Sequence, residues 1–495
     1  MITTIAGTRI LFLDLEDVQS RNNIVQTVCE AVKHSANPIL PLGKTTEWDD
    51  QKASPWASRT VIYDEEERSF KCWYNGGCYA DPTLSSTGYA VSDDGITWHK
   101  PRLGLFEYNG SKDNNICNLG IGCILKDAGE ENPAKRYKMM LKGPKPQCGW
   151  LKGPQPQRVR INYSPDGIHW NEGPRINIPE IPLKDMVVLM RDDQDPDPQR
   201  RYKFVWQVKH PPKKPGPPKV RAKNIAFGPD IEHFTESKDN PILSPDDGLE
   251  DENHFLMLAP YAGMYVMPYE YGWYMPNGTG VFGVFSGDIR LAVSRDGEHF
   301  HRVQPHQKLI SRGRQGEWDD GFIVISEKPV VRNDTIYMYY AGQSEHWTDW
   351  PLENLPADRQ GSVPLGRWTS RMGLATLRLD GFTCLETTDR ETPGHVTTKP
   401  IELSGRDVRL VLNVGDVRQG RSWIEVELLD AERDEPLEGF SRAECNDVHR
   451  DAVRVPVTWK KRALQQLEVS RFRLRFVLHG AARLYSFGFE RSRNG

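Results

Sequence analysis

Apolar and polar positions alternate in short runs along most of the chain, and one run returns with an aromatic at a fixed place. The copies are Ser69-Phe70-Lys71-Cys72-Trp73-Tyr74, Arg136-Tyr137-Lys138-Met139-Met140 and Arg201-Tyr202-Lys203-Phe204-Val205-Trp206, followed by Met264-Tyr265-Val266-Met267 and Ile336-Tyr337-Met338-Tyr339-Tyr340. Subtracting neighbouring anchors (70, 137, 202, 265, 337) gives steps of 67, 65, 63 and 72 residues. Alternation of period two predicts strands, and a recurrence this regular predicts a repeat architecture.

A second element follows each copy. Ser92-Asp93-Asp94-Gly95-Ile96-Thr97-Trp98 is repeated as Ser164-Pro165-Asp166-Gly167-Ile168-His169-Trp170 and as Ser294-Arg295-Asp296-Gly297-Glu298-His299-Phe300. Gly228-Pro229-Asp230-Ile231-Glu232-His233-Phe234 is a degraded copy, and Leu379-Asp380-Gly381-Phe382 a shorter one. An Asp that caps backbone N–H groups, a Gly that takes positive φ and an aromatic that folds back describe a turn between strands, with no chemistry of its own. No convincing amphipathic helix interrupts the pattern. Four antiparallel strands per copy, repeated five times, predict an all-β five-bladed propeller over residues 1–388, with an N-terminal extension over 1–45. A string of separate sandwiches fits one continuous period less well.

Residues 389–400 read as a linker. Beyond them the alternation loses its repeat, and several strands over 401–495 predict a C-terminal β-sandwich whose Trp423 and Trp459 belong to the core. Two propeller loops stand out: Pro-rich 211–218, and a long insertion over 344–368 with three Trp.

Length, at 495 residues, fits more than one core. A net charge of −4 offers no basic excess for phosphates, so nucleic acid is not an expected partner. No run of 18 apolar residues predicts a membrane-spanning helix. The first 19 residues lack the marks of a signal peptide, and eight Cys without zinc or CxxC spacing read as packed thiols, so a cytoplasmic location is expected, a removed signal remaining the alternative. Fourteen Trp suit stacking on sugar rings as well as β-rich cores.

On these residues the chain resembles the five-bladed propeller glycoside hydrolases, broadly families 32, 43, 68, 117 and 130. The resemblance is carried by Leu11–Val18 (LFLDLEDV) through Asn37-Pro38-Ile39-Leu40, by the run from Tyr89 into the second repeat, and by Leu437-Glu438-Gly439-Phe440 with Leu484-Tyr485-Ser486-Phe487. It implies a glycosidase that binds a carbohydrate and works with paired carboxylates in the central funnel. No metal or organic cofactor is expected. The WMNDPNG, RDP and propeller EC motifs of family 32 are absent, so no catalytic residue is carried over by motif.

Glycoside cleavage needs one protonated carboxyl and one ionised one. In a propeller such groups sit on or just before the strand that opens each blade. The tetrapeptide Glu-Trp-Asp-Asp appears there twice, at 47–50 and 317–320, on either side of the expected ring closure. Asp50 and Asp320 are therefore candidates, with a repeated blade-opening turn as the structural alternative. Asp185 precedes blade three, Glu252 precedes blade four, and Glu270 lies in the aromatic run 269–274; Glu252 and Glu270 are the candidate acids. Arg59, His254, Arg290, His346 and Arg371 are candidates for holding sugar hydroxyls, and Trp48, Trp273, Trp318 and Trp347 for stacking. The alternatives are a non-catalytic carbohydrate-binding propeller, or a phosphorolytic or eliminating sugar enzyme. Phosphorolysis would need an Arg/Lys cluster, and none is evident near the blade openings.

Overall fold

The computed structural model describes the chain except for residues 1, 5, 57–59, 79, 81–85, 121, 143–158, 177–185, 212–219, 247, 277–281, 345–368, 406, 461, 463 and 492–495. Blade one is Thr60–Asp64, Ser69–Gly77, Ser86–Ser92 and Ile116–Asn118. Blade two is Gly122–Lys126, Tyr137–Lys142, Val159–Ser164 and Asn171–Ile176, and blade three is Met186–Arg191, Tyr202–His210, Val220–Gly228 and Thr235–Glu236. Blade four is Ala259–Tyr261, Met264–Pro276, Phe282–Ser294 and His301–Val303. Blade five starts with Phe322–Ile325 and Val330–Arg332, continues through Thr335–Gln343 and Ser370–Arg378, and takes its outermost strand, Val32–Lys33, from the N-terminal part of the chain. Strand Lys52–Ser54 pairs antiparallel with Ser69–Gly77 and parallel with Ser370–Arg378, which joins blades one and five into one sheet and closes the ring.

The two repeated motifs have separate jobs. In the Asp-Gly turn, Asp94 Oδ1 accepts from the N–H of Ile96 and of Thr97, both at 2.7 Å, while Gly95 N–H donates to Ser92 Oγ at 2.9 Å. Gly95, Gly167 and Gly297 have φ of 76°, 79° and 74°, which a side chain would strain. The aromatic anchors tie one blade to the next. The hydroxyls of Tyr137, Tyr202 and Tyr265 donate to Asp64, Asp127 and Asp192 of the preceding blade at 2.9, 2.5 and 2.6 Å. Each of these Asp side chains also pairs with a buried Lys of its own blade: Lys71, Lys138 and Lys203.

Glu327, 1% exposed on the inner segment of blade five, accepts from Thr60 Oγ1 of blade one at 2.6 Å and from Leu189 N–H of blade three at 2.8 Å. Its carbonyl accepts from Leu258 N–H of blade four at 3.1 Å, and Thr60 Oγ1 accepts from Ile124 N–H of blade two at 3.2 Å. Glu327 thus links the inner segments of blades one and three through its side chain, blade four through its carbonyl and blade two by way of Thr60. Burial pushes its carboxyl up to about 7, against the pull of Lys328. A carboxyl raised in the folded state stabilises the fold fully below its ordinary value of 4.5, and that contribution is lost as pH rises through 7. Glu327→Gln is therefore expected to gain stability relative to the parent by roughly 1–3 kcal/mol between pH 5 and pH 8. Denaturant unfolding at both pH values measures this; an equal difference at the two would refute it.

The sandwich is larger than the sequence indicates. One sheet runs Ile2–Thr4, Ile401–Leu403, Arg471–Leu478, Gly394–Thr398, Val18–Asn22, with Ile424–Asp430 on Arg471–Leu478. The other runs Ala452–Pro456, Val408–Gly415, Arg483–Arg491, Thr383–Thr387, Ile24–Val28, with Arg9–Leu11 on Arg483–Arg491. Four N-terminal strands thus belong to it. The segment read as a linker, 389–400, carries the strand Gly394–Thr398, and Thr383–Thr387 already lies in the second sheet. The reason is coverage of the core: Ile10, Phe12 and Ile24 bury against Phe476, Phe487 and Leu385 in one apolar cluster. Trp459 lies in this core as expected, whereas Trp423 is half-buried and stacks on His479 with centroids 4.1 Å apart.

Candidate active site

The chain enters blade four along residues 250–258, held beside Met264–Pro276 by bridges from Glu252 to Gly272 and from Leu256 to Tyr269. This stretch is the innermost segment of the blade. Glu270 N–H donates to Phe255 O at 3.0 Å, which brings the Glu270 and His254 side chains together across the pair. His254 Nδ1 lies 2.8 Å from Glu270 Oε1, and its Nε2 lies 3.6 Å from Glu252 Oε2. One imidazole therefore stands between two carboxyl groups.

The three groups are almost sealed from solvent. Glu270 is 0% exposed, and its Oε2 receives no hydrogen bond among the described residues. Burial holds its proton well above the usual carboxylate range, and Lys223 and Arg221 offset this only in part. Burial likewise holds His254 well below its ordinary value, reinforced by Arg221 and Lys223. Burial thus favours the neutral form of both the carboxyl and the imidazole. Phe285 closes on the ring edge to face at 4.4 Å, and Trp56, Phe255 and Phe322 from the inner segments of blades one, four and five form one aromatic cluster with it.

Glu252 is set apart by its cations. Arg221 donates to Glu252 Oε2, and Lys209 Nζ lies 3.5 Å from Oε1. Lys223, fully buried, donates to Asn253 O and Oδ1 at 2.6 and 2.8 Å. All three cations come from the second and third strands of blade three, away from the blade openings. Their signal in the sequence is alternation: Gln207 with Lys209, and Arg221 with Lys223, place polar side chains on one face of otherwise apolar strands.

The other sequence candidates fall elsewhere. In the two Glu-Trp-Asp-Asp segments, Asp50 Oδ2 accepts from Thr46 N–H at 3.0 Å and Asp320 Oδ2 from Gly316 N–H at 2.6 Å. Glu47 and Glu317 cap Lys44 and Arg314 N–H, both at 2.8 Å. Trp48 and Trp318 stack on Tyr74 and Tyr340 at 5.7 and 5.8 Å. The segments thus form the same blade-opening turn twice, and among the described contacts they do not meet Glu252 or Glu270. Arg371 pairs in register with Ala53 at the junction of blades one and five. Trp273 and Arg290 line a separate cleft on blade four. Asp185, Arg59, His346 and Trp347 lie outside the described residues.

No protein-family profile and no curated sequence matches the chain. Similar solved structures include one described as showing that the GH130 family of mannoside phosphorylases contains glycoside hydrolases that target β-1,2-mannosidic linkages in Candida mannan, at 14% identity, TM-score 0.46, covering 71% of this chain and 94% of that one. A β-1,2-mannobiose phosphorylase from Listeria innocua matches at 12% identity, TM-score 0.42, covering 72% of this chain and 98% of that one. An N-acetylgalactosamine deacetylase from F. plautii matches at 15% identity, TM-score 0.45, covering 72% of this chain and 96% of that one. These bear on the fold at most, and the site rests on this chain's own residues.

Proposed function

We propose that the chain is an enzyme that cleaves glycosidic bonds in its propeller funnel. Glu252 is the carboxylate at the reacting sugar, and the Glu270–His254 pair delivers the proton to the leaving oxygen. The observation that carries this reading is the carboxyl–imidazole–carboxyl array, in which burial raises the proton affinity of one acid while the other is ion-paired with Arg221. Carboxyls with environments this different divide into acid and base roles. A second reading, phosphorolysis, is favoured by a specific observation: Lys209 and Arg221 contact Glu252, and Lys223 holds the neighbouring Asn253, so a phosphate could replace water as the attacking group there.

The test is a panel of aryl glycosides and oligosaccharides, each incubated with and without inorganic phosphate. Cleavage is expected for at least one substrate, and Glu252→Gln should lower it by about 10²-fold or more. Phosphate dependence, with a sugar phosphate as product, decides for phosphorolysis; cleavage in water alone decides for hydrolysis. Full activity of the Glu252 variant would remove the proposed mechanism.

A further inference from the structure

The paired strands Met264–Pro276 and Phe282–Ser294 carry side chains to two faces. Glu270 and Phe285 share one face with the His254 ring, whereas Tyr271 and Trp273 share the other with Asp288, opposite Tyr271, and Arg290, opposite Tyr269. That second face opens on a cleft of about 430 Å³, within the range of small-ligand pockets. Lys308 closes one side, and Leu249, 78% exposed and the most exposed large apolar residue described, forms the lip.

The lining has an apolar wall and a polar floor. Arg290 lies over the Tyr271 ring at 4.7 Å and donates to Pro305 O at 2.7 Å, which fixes it. Asp288 is 1% exposed; its Oδ1 accepts from Arg312 N–H at 3.2 Å, but its Oδ2 accepts no hydrogen bond among the described residues. That oxygen is ion-paired instead, with Lys308 Nζ at 3.2 Å and an Arg290 nitrogen at 3.8 Å. A carboxylate held this way keeps lone-pair capacity for a hydroxyl donor entering the cleft. The lining itself pairs the Asp251 and Asp288 carboxylates with Arg290 and Lys308 in equal number, Arg312 lies over the Trp273 ring at 5.5 Å, and Leu249 and Trp273 offer contact to an apolar face. We propose that this cleft is a second carbohydrate site, which holds an uncharged pyranose unit of an oligosaccharide away from the reacting bond. Its catalytic consequence rests on the glycosidic reading of the funnel; its binding does not.

The test therefore has two arms. Wild type, Trp273→Ala and Asp288→Asn are titrated calorimetrically with neutral gluco-, manno- and xylo-oligosaccharides of four to six units, and with oligogalacturonides. Their kcat/KM is measured on a cleavable oligosaccharide and on an aryl monosaccharide glycoside. Both variants are expected to lose at least tenfold in neutral oligosaccharide affinity and in oligosaccharide kcat/KM, with aryl glycoside turnover within about twofold of wild type. Trp273→Phe, which keeps a ring, should restore part of the loss and guards against misfolding. Unchanged binding in both variants, an equal loss on the aryl glycoside, or preferential binding of the acidic sugars would overturn the proposal. If wild type cleaves no glycoside, the funnel reading fails and binding alone decides: variant-sensitive binding of a neutral oligosaccharide supports the cleft, and no binding by wild type overturns it.

Discussion

Glu270→Gln is expected to lose about 10²–10⁴ in turnover while unfolding no more easily than the parent. The two effects have one cause. Glu270 is fully buried, one of its oxygens takes no hydrogen bond among the described residues, and burial drives its proton affinity up. A carboxyl in that position costs stability progressively as pH rises above its ordinary value of 4.5, because the unfolded chain releases the proton that the folded state retains. Gln has nearly the same shape, keeps a contact to His254 Nδ1 and never ionises, so the variant should hold its stability and gain at alkaline pH relative to the parent. It has no proton to give, however, so the relay through His254 stops. The measurements are kcat against pH and denaturant unfolding at pH 6 and 9. Retained turnover would remove Glu270 from the mechanism, and a parallel fall of turnover and stability would make it a packing residue. Sites that work against local stability are where function is expected to reside.

How much of this could be read in advance depended on the range of the interaction. The Asp-Gly turn is local: Ser92, Asp94 and Gly95 satisfy each other within four residues, so their spacing in the sequence carried the blade count. The aromatic anchor was visible as a repeat, but its partner was not, since Tyr137 reaches Asp64 some 73 residues away. Glu252, Glu270 and His254 are visible in the sequence as an acidic blade-opening segment and an aromatic-rich run, and the fold brings them together. Lys209, Arg221 and Lys223 lie on the second and third strands of blade three, where alternation alone does not mark them out from other polar strand positions. The duplicated Glu-Trp-Asp-Asp has a structural reason to repeat, since both copies cap the same blade-opening turn. The N-terminal sandwich strands were illegible because they are short, three to five residues each, and are held by partners hundreds of positions away.

Lys203→Met should cost about 3–5 kcal/mol, the largest single loss of stability expected outside the apolar cores. Lys203 is 0% exposed and lies 2.7 Å from Asp192 and 2.8 Å from Asp195, themselves 0% and 5% exposed. It also donates to Arg200 O at 3.1 Å, so its three protons are all used. Removing the cation leaves two carboxylates in a poorly solvated pocket, with Tyr265 O–H and Gln194 N–H on Asp192 and Arg200 and Asp197 N–H on Asp195 as their remaining partners. The loss measures an abandoned charge and not the net worth of the pair. The protein itself makes that distinction: where blades one to three place Lys71, Lys138 and Lys203 after the anchor aromatic, blades four and five place Val266 and Met338, both fully buried in an apolar cluster. Apolar filling of this position is thus compatible with a blade, provided the facing charge is gone. Accordingly, Lys203→Met combined with Asp192→Asn should recover at least 1 kcal/mol of the loss, Asp195 keeping its pair with Arg200 at 3.0 Å. Denaturant unfolding of the parent, the two single variants and the double variant closes the cycle. A single-variant loss below about 1 kcal/mol, or additive behaviour in the double, would mean that the interblade Asp–Lys–Tyr links contribute little beyond geometry.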